Sequence, residues 1–301
     1  MADKPEIGFV GVGNMGWPMA ANLVRAGFTV NVNDARREIA NNFVQQIGGF
    51  VPDSLRELGA RSAVVITMLP TSGLVSSVLA DAEEAVLSGL KPGSLVIDMT
   101  SGEPSVTRRL AEQVAALGGV MIDAPVSGGV PRAKTGELAI MVGGDDAAVE
   151  RAMPVLQAMG TSIMRCGGIG AGQAMKALNN LVSTGGFLIG IEALLIGQRF
   201  GLDPALMVDV LNASTGMNNS SQKKFKQYVL SRSFDSGFSL DLLAKDLSIA
   251  LGVGRETGTP TPFSALCKEL VAGAQAMLGP GQDHTALAKL SEALTGTELG
   301  G

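Results

Sequence analysis

The sequence predicts an α/β protein, with an N-terminal doubly wound parallel sheet over residues 1–165 and an all-α domain over residues 166–301. Three observations lead there. Short β-branched runs alternate with helical periodicity through the first half of the chain. A glycine-rich turn follows the first of those runs, and strand signals nearly vanish after "TSIMRCGG" at 161–168.

The expected strands are "IGFVG" at 7–11, "FTVNVND" at 28–34, "AVVITML" at 63–69, "SLVIDM" at 94–99 and "GVMIDAPV" at 119–126. Each is nearly continuous in apolar residues, as strands covered by helices on both faces are. "NMGWPMAANLVRAG" reads as the first helix. In the second half, "GQAMKALNNLVSTGGFLIGIEALLIGQR" at 172–199 is a mostly apolar helical segment. Gly185 and Gly186 there allow close helix contact at some cost in propensity. "GLDPALMVDVL", "FSLDLLAKDLSIALGVGRE" and "TPFSALCKELVAGAQAML" are further helices, the first with Asp203 as N-cap and Pro204 as first helical residue.

With 301 residues, the chain is long enough for about two domains and a substantial core. Its net charge of -5, without any run of lysines or arginines, excludes the footprint of a nucleic-acid binder or of an anionic-membrane binder. A small soluble partner is expected. No basic segment followed by a long apolar run opens the sequence, and no uninterrupted run approaches the roughly 20 apolar residues that cross a bilayer. No membrane partner is therefore expected. Cys166 and Cys267 are too few for a disulfide framework and lack metal-ligand spacing, which fits a reducing cytoplasm and no metal.

The first strand ends in "GVGNMG", the run Gly11, Val12, Gly13, Asn14, Met15 and Gly16, with a helix immediately after it. In this G-x-G-x-x-G spacing the first glycine makes the tight turn, the second lets the backbone approach a pyrophosphate, and the third packs helix against strand. The helix N-terminus adds donors and partial positive charge. Asp34 ends the second strand, where an acid meets the adenosine ribose hydroxyls. Its carboxylate favours NAD, because it repels a 2′-phosphate. Arg36 and Arg37 keep NADP possible, either as guanidinium partners of that phosphate or as a solvated basic pair.

Lys176 and Asn180 lie four residues apart, hence on one helix face. An ammonium and a carboxamide so placed can exchange a proton with one oxygen and hydrogen-bond it. A lysine snorkelling from an apolar helix beside a helix-bonded asparagine is an equally good reading of those residues alone. "VSGG" likewise allows an anion nest or a plain turn after a strand.

"FVGVGNMGWPMAANL" at 9–23, "DAPVSGG" at 123–129, "GAGQAMKALNN" at 170–180 and "LLAKDLSIA" at 242–250 together resemble the β-hydroxyacid dehydrogenase family, in the family's order and across nearly the whole chain. That family includes 3-hydroxyisobutyrate dehydrogenases and tartronate semialdehyde reductases. The resemblance implies a Rossmann domain joined by a long helix to an α-helical domain, with the active site between them, and hydride transfer between NAD(H) and a small 3-hydroxy acid or its semialdehyde. It makes Lys176 the catalytic acid/base, Asn180 its assistant, and Ser127, Gly128 and Gly129 the holders of the substrate carboxylate. Lys245 matches a residue near the nicotinamide, while Leu69, Pro70 and Ser101 match further cofactor contacts, the last a serine where threonine is often found. Asn219 falls about where 3-hydroxyisobutyrate dehydrogenases tend to carry tryptophan, so it either meets a polar substituent of the substrate or caps the helix that follows. Homodimers or homotetramers are implied.

Two other functions fit the same fold, an imine reductase and a non-catalytic cofactor-binding regulator. The retained Lys176 argues against both. His284, in "PGQDHTAL", reads as a solvated or capping residue and not as a general base. Tyr228 is followed at i+4 by Arg232 and not by the lysine of a Tyr-x-x-x-Lys pair.

Overall fold

A computed structural model describes residues 4–300 of the chain. Backbone contacts divide it into two compact units, Met1–Lys176 and Ala177–Gly301, so the division falls inside a long helix and after residue 165.

In the first unit, strands β1 (Ile7–Val10), β2 (Val30–Asn33), β3 (Val64–Thr67), β4 (Leu95–Asp98) and β5 (Val120–Asp123) form a parallel sheet in the order β2-β1-β3-β4-β5. Ile7 pairs with both Val30 and Val64, and Leu95 with both Val64 and Val120. The alternation of side chains along each strand sends Ile7, Phe9, Val64, Ile66, Leu95 and Ile97 into one apolar layer and Val10, Val65 and Val96 into another. Both faces are thus covered, which is why the strands lack polar alternation.

The sheet continues beyond the five expected strands. β6 (Val126–Ser127), β7 (Leu138–Gly143) and β8 (Gly160–Gly167) extend it, with β7 antiparallel to β5 and β6 and parallel to β8. A sheet parallel throughout was too simple an expectation. β7 is as apolar and buried as the parallel strands, so its composition carries no sign of its reversed direction.

The long helix, Ala171–Phe200, enters the second unit, where Pro204–Asn212, Leu240–Glu256 and Pro262–Leu278 pack around Phe187, Ile191, Phe225, Leu247 and Val271. The Asp203 carboxylate accepts from Ala205 N at 3.0 Å, and Pro204 opens its helix. A Cβ on Gly185 would lie 3.0 Å from the Phe263 ring; Gly190, at 2.4 Å from Phe225, is tighter still. By length and composition alone, Ala171–Phe200 could cross a bilayer, although it contains no uninterrupted apolar run of that length. Its charged residues interrupt the run, and half of its most apolar window is buried within the protein.

His284 is buried, contrary to the solvated or capping role read from its turn-like surroundings. Asp283 is the cap, its carboxylate accepting from Thr285 N at 2.9 Å. His284 Nδ1 lies 3.0 Å from Ser236 Oγ and 3.2 Å from the Phe238 carbonyl. Burial, reinforced by the charge of Lys224, lowers its pKa to about 4 and keeps the ring neutral at pH 7.

Candidate active site

The chain runs from β1 to β2 on one side and returns to β3 on the other, so the loop after β1 lies where strand order reverses. Ligands of open α/β sheets bind at such points, beyond the carboxyl ends of the strands. Gly11 has φ 97°, and a Cβ there would stand 2.4 Å from the Met68 carbonyl and 2.8 Å from Leu69. The Gly16 position is closed by the Gly11 carbonyl, 1.8 Å from a Cβ built on it. Gly13 differs, because a Cβ on it would meet nothing within 4 Å. Its backbone therefore faces open space at the start of the helix Gly16–Arg25, as a diphosphate cradle requires.

Asp34 is half-buried at the end of β2, accepting from Val12 N at 3.1 Å and from Arg36 N at 3.0 Å. One carboxylate thus ties the glycine turn to the second strand. Each oxygen retains acceptor capacity for a ribose hydroxyl. The Arg37 guanidinium pairs with Asp53 at 2.9 Å, and Arg36 is exposed. Leu69 N donates to Thr100 Oγ1 at 3.0 Å, joining the loops after β3 and β4; Pro70 and Ser101 follow in those loops.

Ser127 lies half-buried in β6, and the two glycines after it are exposed. Gly128 has φ 131° and Gly129 φ 65°, a turn that side-chain-bearing residues resist, and a Cβ on Gly128 would press within 2.7 Å of Arg132. The turn therefore leaves its peptide groups uncovered beside a hydroxyl.

A buried network fastens the first turn of the long helix. Asp123 Oδ1 accepts from Gly170 N at 2.6 Å and Oδ2 from Gln173 N at 2.8 Å. The Gln173 side chain donates to Asp98 Oδ2 at 2.9 Å and accepts from Thr107 Oγ1 at 2.8 Å. Asp98 Oδ1 also accepts from Thr67 Oγ1 at 2.8 Å and Thr100 N at 3.0 Å. Burial raises both carboxyl pKa values, that of Asp123 to about 6 with a smaller contribution from the charge of Asp98. Lys176, half-buried, follows Gln173 by one helical turn. None of these anchors was singled out from sequence, although Asp98 and Asp123 each close an apolar strand, a place where a carboxylate needs buried donors.

In the second unit, Asn180 is buried and its Nδ2 donates to Asp246 Oδ2 at 2.5 Å. Asp246 is buried as well, and its other oxygen lies 3.3 Å from Lys245 Nζ. One carboxylate thereby joins two residues expected to serve the site, and it orients the Asn180 amide with nitrogen toward Asp246. Asn219 does not cap its helix. Asn218 does, accepting from Ser220 N at 2.8 Å and Ser221 N at 3.1 Å, while Asn219 occupies the first helical position, exposed.

A glycine turn at the sheet's order reversal, tied to an acid at the end of β2, is the arrangement that dinucleotide-binding α/β units use. Residues 6–168 match the family described as the NAD binding domain of 6-phosphogluconate dehydrogenase, and residues 170–291 match that described as NAD-binding of NADP-dependent 3-hydroxyisobutyrate dehydrogenase. The chain is 36% identical over 301 residues to 2-(hydroxymethyl)glutarate dehydrogenase of Eubacterium barkeri, covering 100% of this chain and 99% of that one. It is also 36% identical over 276 residues to mitochondrial 3-hydroxyisobutyrate dehydrogenase of Mus musculus, covering 90% of this chain and 82% of the relative. A solved structure of Mycobacterium tuberculosis 3-hydroxyisobutyrate dehydrogenase with L-serine is similar with a TM-score of 0.87 at 34% identity, covering 95% of this chain and 99% of that one. The chain belongs to the β-hydroxyacid dehydrogenase family, NAD(P)-dependent oxidoreductases acting on CH–OH groups.

Proposed function

We propose that the protein interconverts a small 3-hydroxy acid and its semialdehyde with NAD(H), using Lys176 as general acid/base. The observation that carries this reading is the placement of Lys176 and Asn180 one turn apart on a helix whose start is fastened by Asp123 and whose Asn180 amide is oriented by Asp246. The nicotinamide supplies the hydride acceptor when bound. Lys176, in its neutral form, takes the hydroxyl proton during oxidation and returns it during reduction. Asn180 donates a hydrogen bond to the same oxygen without adding charge, and Lys245 stands at the nicotinamide end. Ser127, Gly128 and Gly129 donate to the substrate carboxylate, with Asn219 toward the far end of the substrate. Gly11–Gly16, Asp34, Leu69, Pro70 and Ser101 hold the dinucleotide.

The relatives are named for 3-hydroxyisobutyrate and 2-(hydroxymethyl)glutarate, each a primary alcohol one carbon removed from the carbon bearing a carboxylate. Hydrogen bonds to a charged group contribute about 1.5 to 3 kcal/mol each, so esterifying the acid should lower kcat/KM at least roughly tenfold. Steady-state rates for an acid and its methyl ester test this. Equal turnover of the two would remove the carboxylate site.

NAD is the proposed preferred cofactor, because the Asp34 carboxylate faces the position of a 2′-phosphate while Arg37 is engaged with Asp53. Asp34→Ser should narrow the gap in kcat/KM between NAD and NADP; a wild-type preference for NADP would show that Arg36 or Arg37 dominates. Self-association is proposed as well. Val182, Ile189 and Ile196, spaced seven residues apart along the long helix, are 75%, 56% and 71% exposed and form an apolar stripe of the kind that marks interfaces. Light scattering should give a dimer or tetramer, and the mass of a single chain at all micromolar concentrations would contradict it.

A further inference from the structure

The second unit contains a lysine without a part in the chemistry above. Lys224 follows the helix Asn219–Lys223, and its ammonium donates to Ser183 Oγ at 3.1 Å. Ser183 stands three residues after Asn180 and seven after Lys176 on the long helix, so all three share one face. Along the axis, Ser183 is about 4.5 Å beyond Asn180 and about 10 Å beyond Lys176.

The charges around Lys224 make its position unusual. Its neighbour Lys226 is exposed and pairs with Asp209 at 2.5 Å, whereas Lys224 makes no ion pair among the described residues. Asp283 acts on it only from a distance. That carboxylate is already saturated, accepting from Ser236 Oγ at 2.9 Å, Gly237 N at 2.8 Å, Phe238 N at 3.2 Å and Thr285 N at 2.9 Å. His284, the other titratable group nearby, is neutral at pH 7. Burial lowers the Lys224 pKa to about 8, against a smaller opposing effect of Asp283, so the ammonium stays mostly charged at pH 7. A cation held largely out of water costs free energy that an anion in direct contact recovers. Among the described residues no side chain supplies that anion, and the ammonium donates instead to a hydroxyl oxygen on the face carrying Asn180.

We propose that Lys224 and Ser183 recognise a second carboxylate, and hence that the substrate is a hydroxy dicarboxylic acid with a short aliphatic spacer. The proposal rests on the hydroxy-acid reading for the identity of the reacting group. It assigns specificity to a residue outside the four motifs that mark the family. A monocarboxylic substrate would leave the Lys224 ammonium desolvated and unanswered, so discrimination against it follows from the same burial.

The test compares glutarate with butyrate, two unreactive acids differing in the second carboxylate, by calorimetric binding to the NAD⁺-saturated protein. Wild type should bind glutarate at least about tenfold more tightly. Lys224→Met should bring the ratio close to one, and Lys224→Arg should keep most of it. In parallel, the ratio of kcat/KM for a hydroxy diacid over the matching hydroxy monoacid should collapse in Lys224→Met. Equal binding of the two acids by wild type, or a preference that survives in Lys224→Met, would overturn the proposal; the wild-type comparison decides even where the methionine variant does not fold. A lysine-dependent preference for glutarate in a protein that oxidises neither hydroxy acid would keep the second-carboxylate site and reject the hydroxy-acid reading instead.

Discussion

Lys176→Ala should lower kcat by roughly 10²- to 10⁴-fold, the range that general acid–base assistance supplies, while cofactor affinity stays close to wild type. The separation follows from position. Lys176 stands on the long helix, whereas the glycine turn and Asp34 belong to the loops after β1 and β2 and are held by their own contacts with Met68, Leu69 and Val12. On the proposed reading, removal of the Lys176 amine deletes the proton carrier and leaves the glycine turn and its contacts in place. Fluorescence titration with NADH, beside steady-state rates, distinguishes the two effects. Near-normal kcat in this variant would remove Lys176 from the chemistry.

Asp123→Ala should destabilise the first unit by about 2 to 4 kcal/mol, because the Gly170 and Gln173 amides would both lose their acceptor in a buried setting. Activity should fall with it, since those amides form the turn that precedes Lys176. Asp123→Asn retains one carbonyl oxygen and should cost less. A pH signature accompanies the change. The folded-state pKa of Asp123, about 6, lies above its ordinary 3.8, so the folded protein binds this proton more tightly than the unfolded chain. Its contribution to stability is fully present below pH 3.8 and is lost as pH rises through 6. Denaturant unfolding of wild type and Asp123→Asn between these limits should differ in slope with pH. Alanine replacement without loss of stability would show that the two amides find other partners.

What the sequence made legible was local. The five parallel strands announced themselves because burial on both faces demands unbroken apolar runs, and the glycine turn because Gly11 and Gly16 answer two steric demands while Gly13 leaves the backbone open between them. Asp203 and Pro204 define a helix start from two adjacent side chains. The features that escaped reading depend on partners far along the chain. Gln173 meets Asp98 across 75 positions and Asn180 meets Asp246 across 66, and nothing in the spacing of either residue announces the pairing. β7 escaped because strand direction is decided by its neighbours and leaves composition unchanged. His284 was misjudged for a related reason: a polar turn in sequence folds under Phe187 and Phe238, and the ring is buried with them. The motif residues Lys176 and Asn180 were visible, but the carboxylates that orient their helix and amide were not.

The most direct measurement follows the hydride itself. A 3-hydroxy acid carrying deuterium on its hydroxyl-bearing carbon, incubated with the protein and NAD⁺, should yield reduced nicotinamide that contains the label, together with the corresponding semialdehyde. Reduced cofactor without deuterium, or no reduction with any carboxylate-bearing alcohol, would contradict direct hydride transfer from a 3-hydroxy acid.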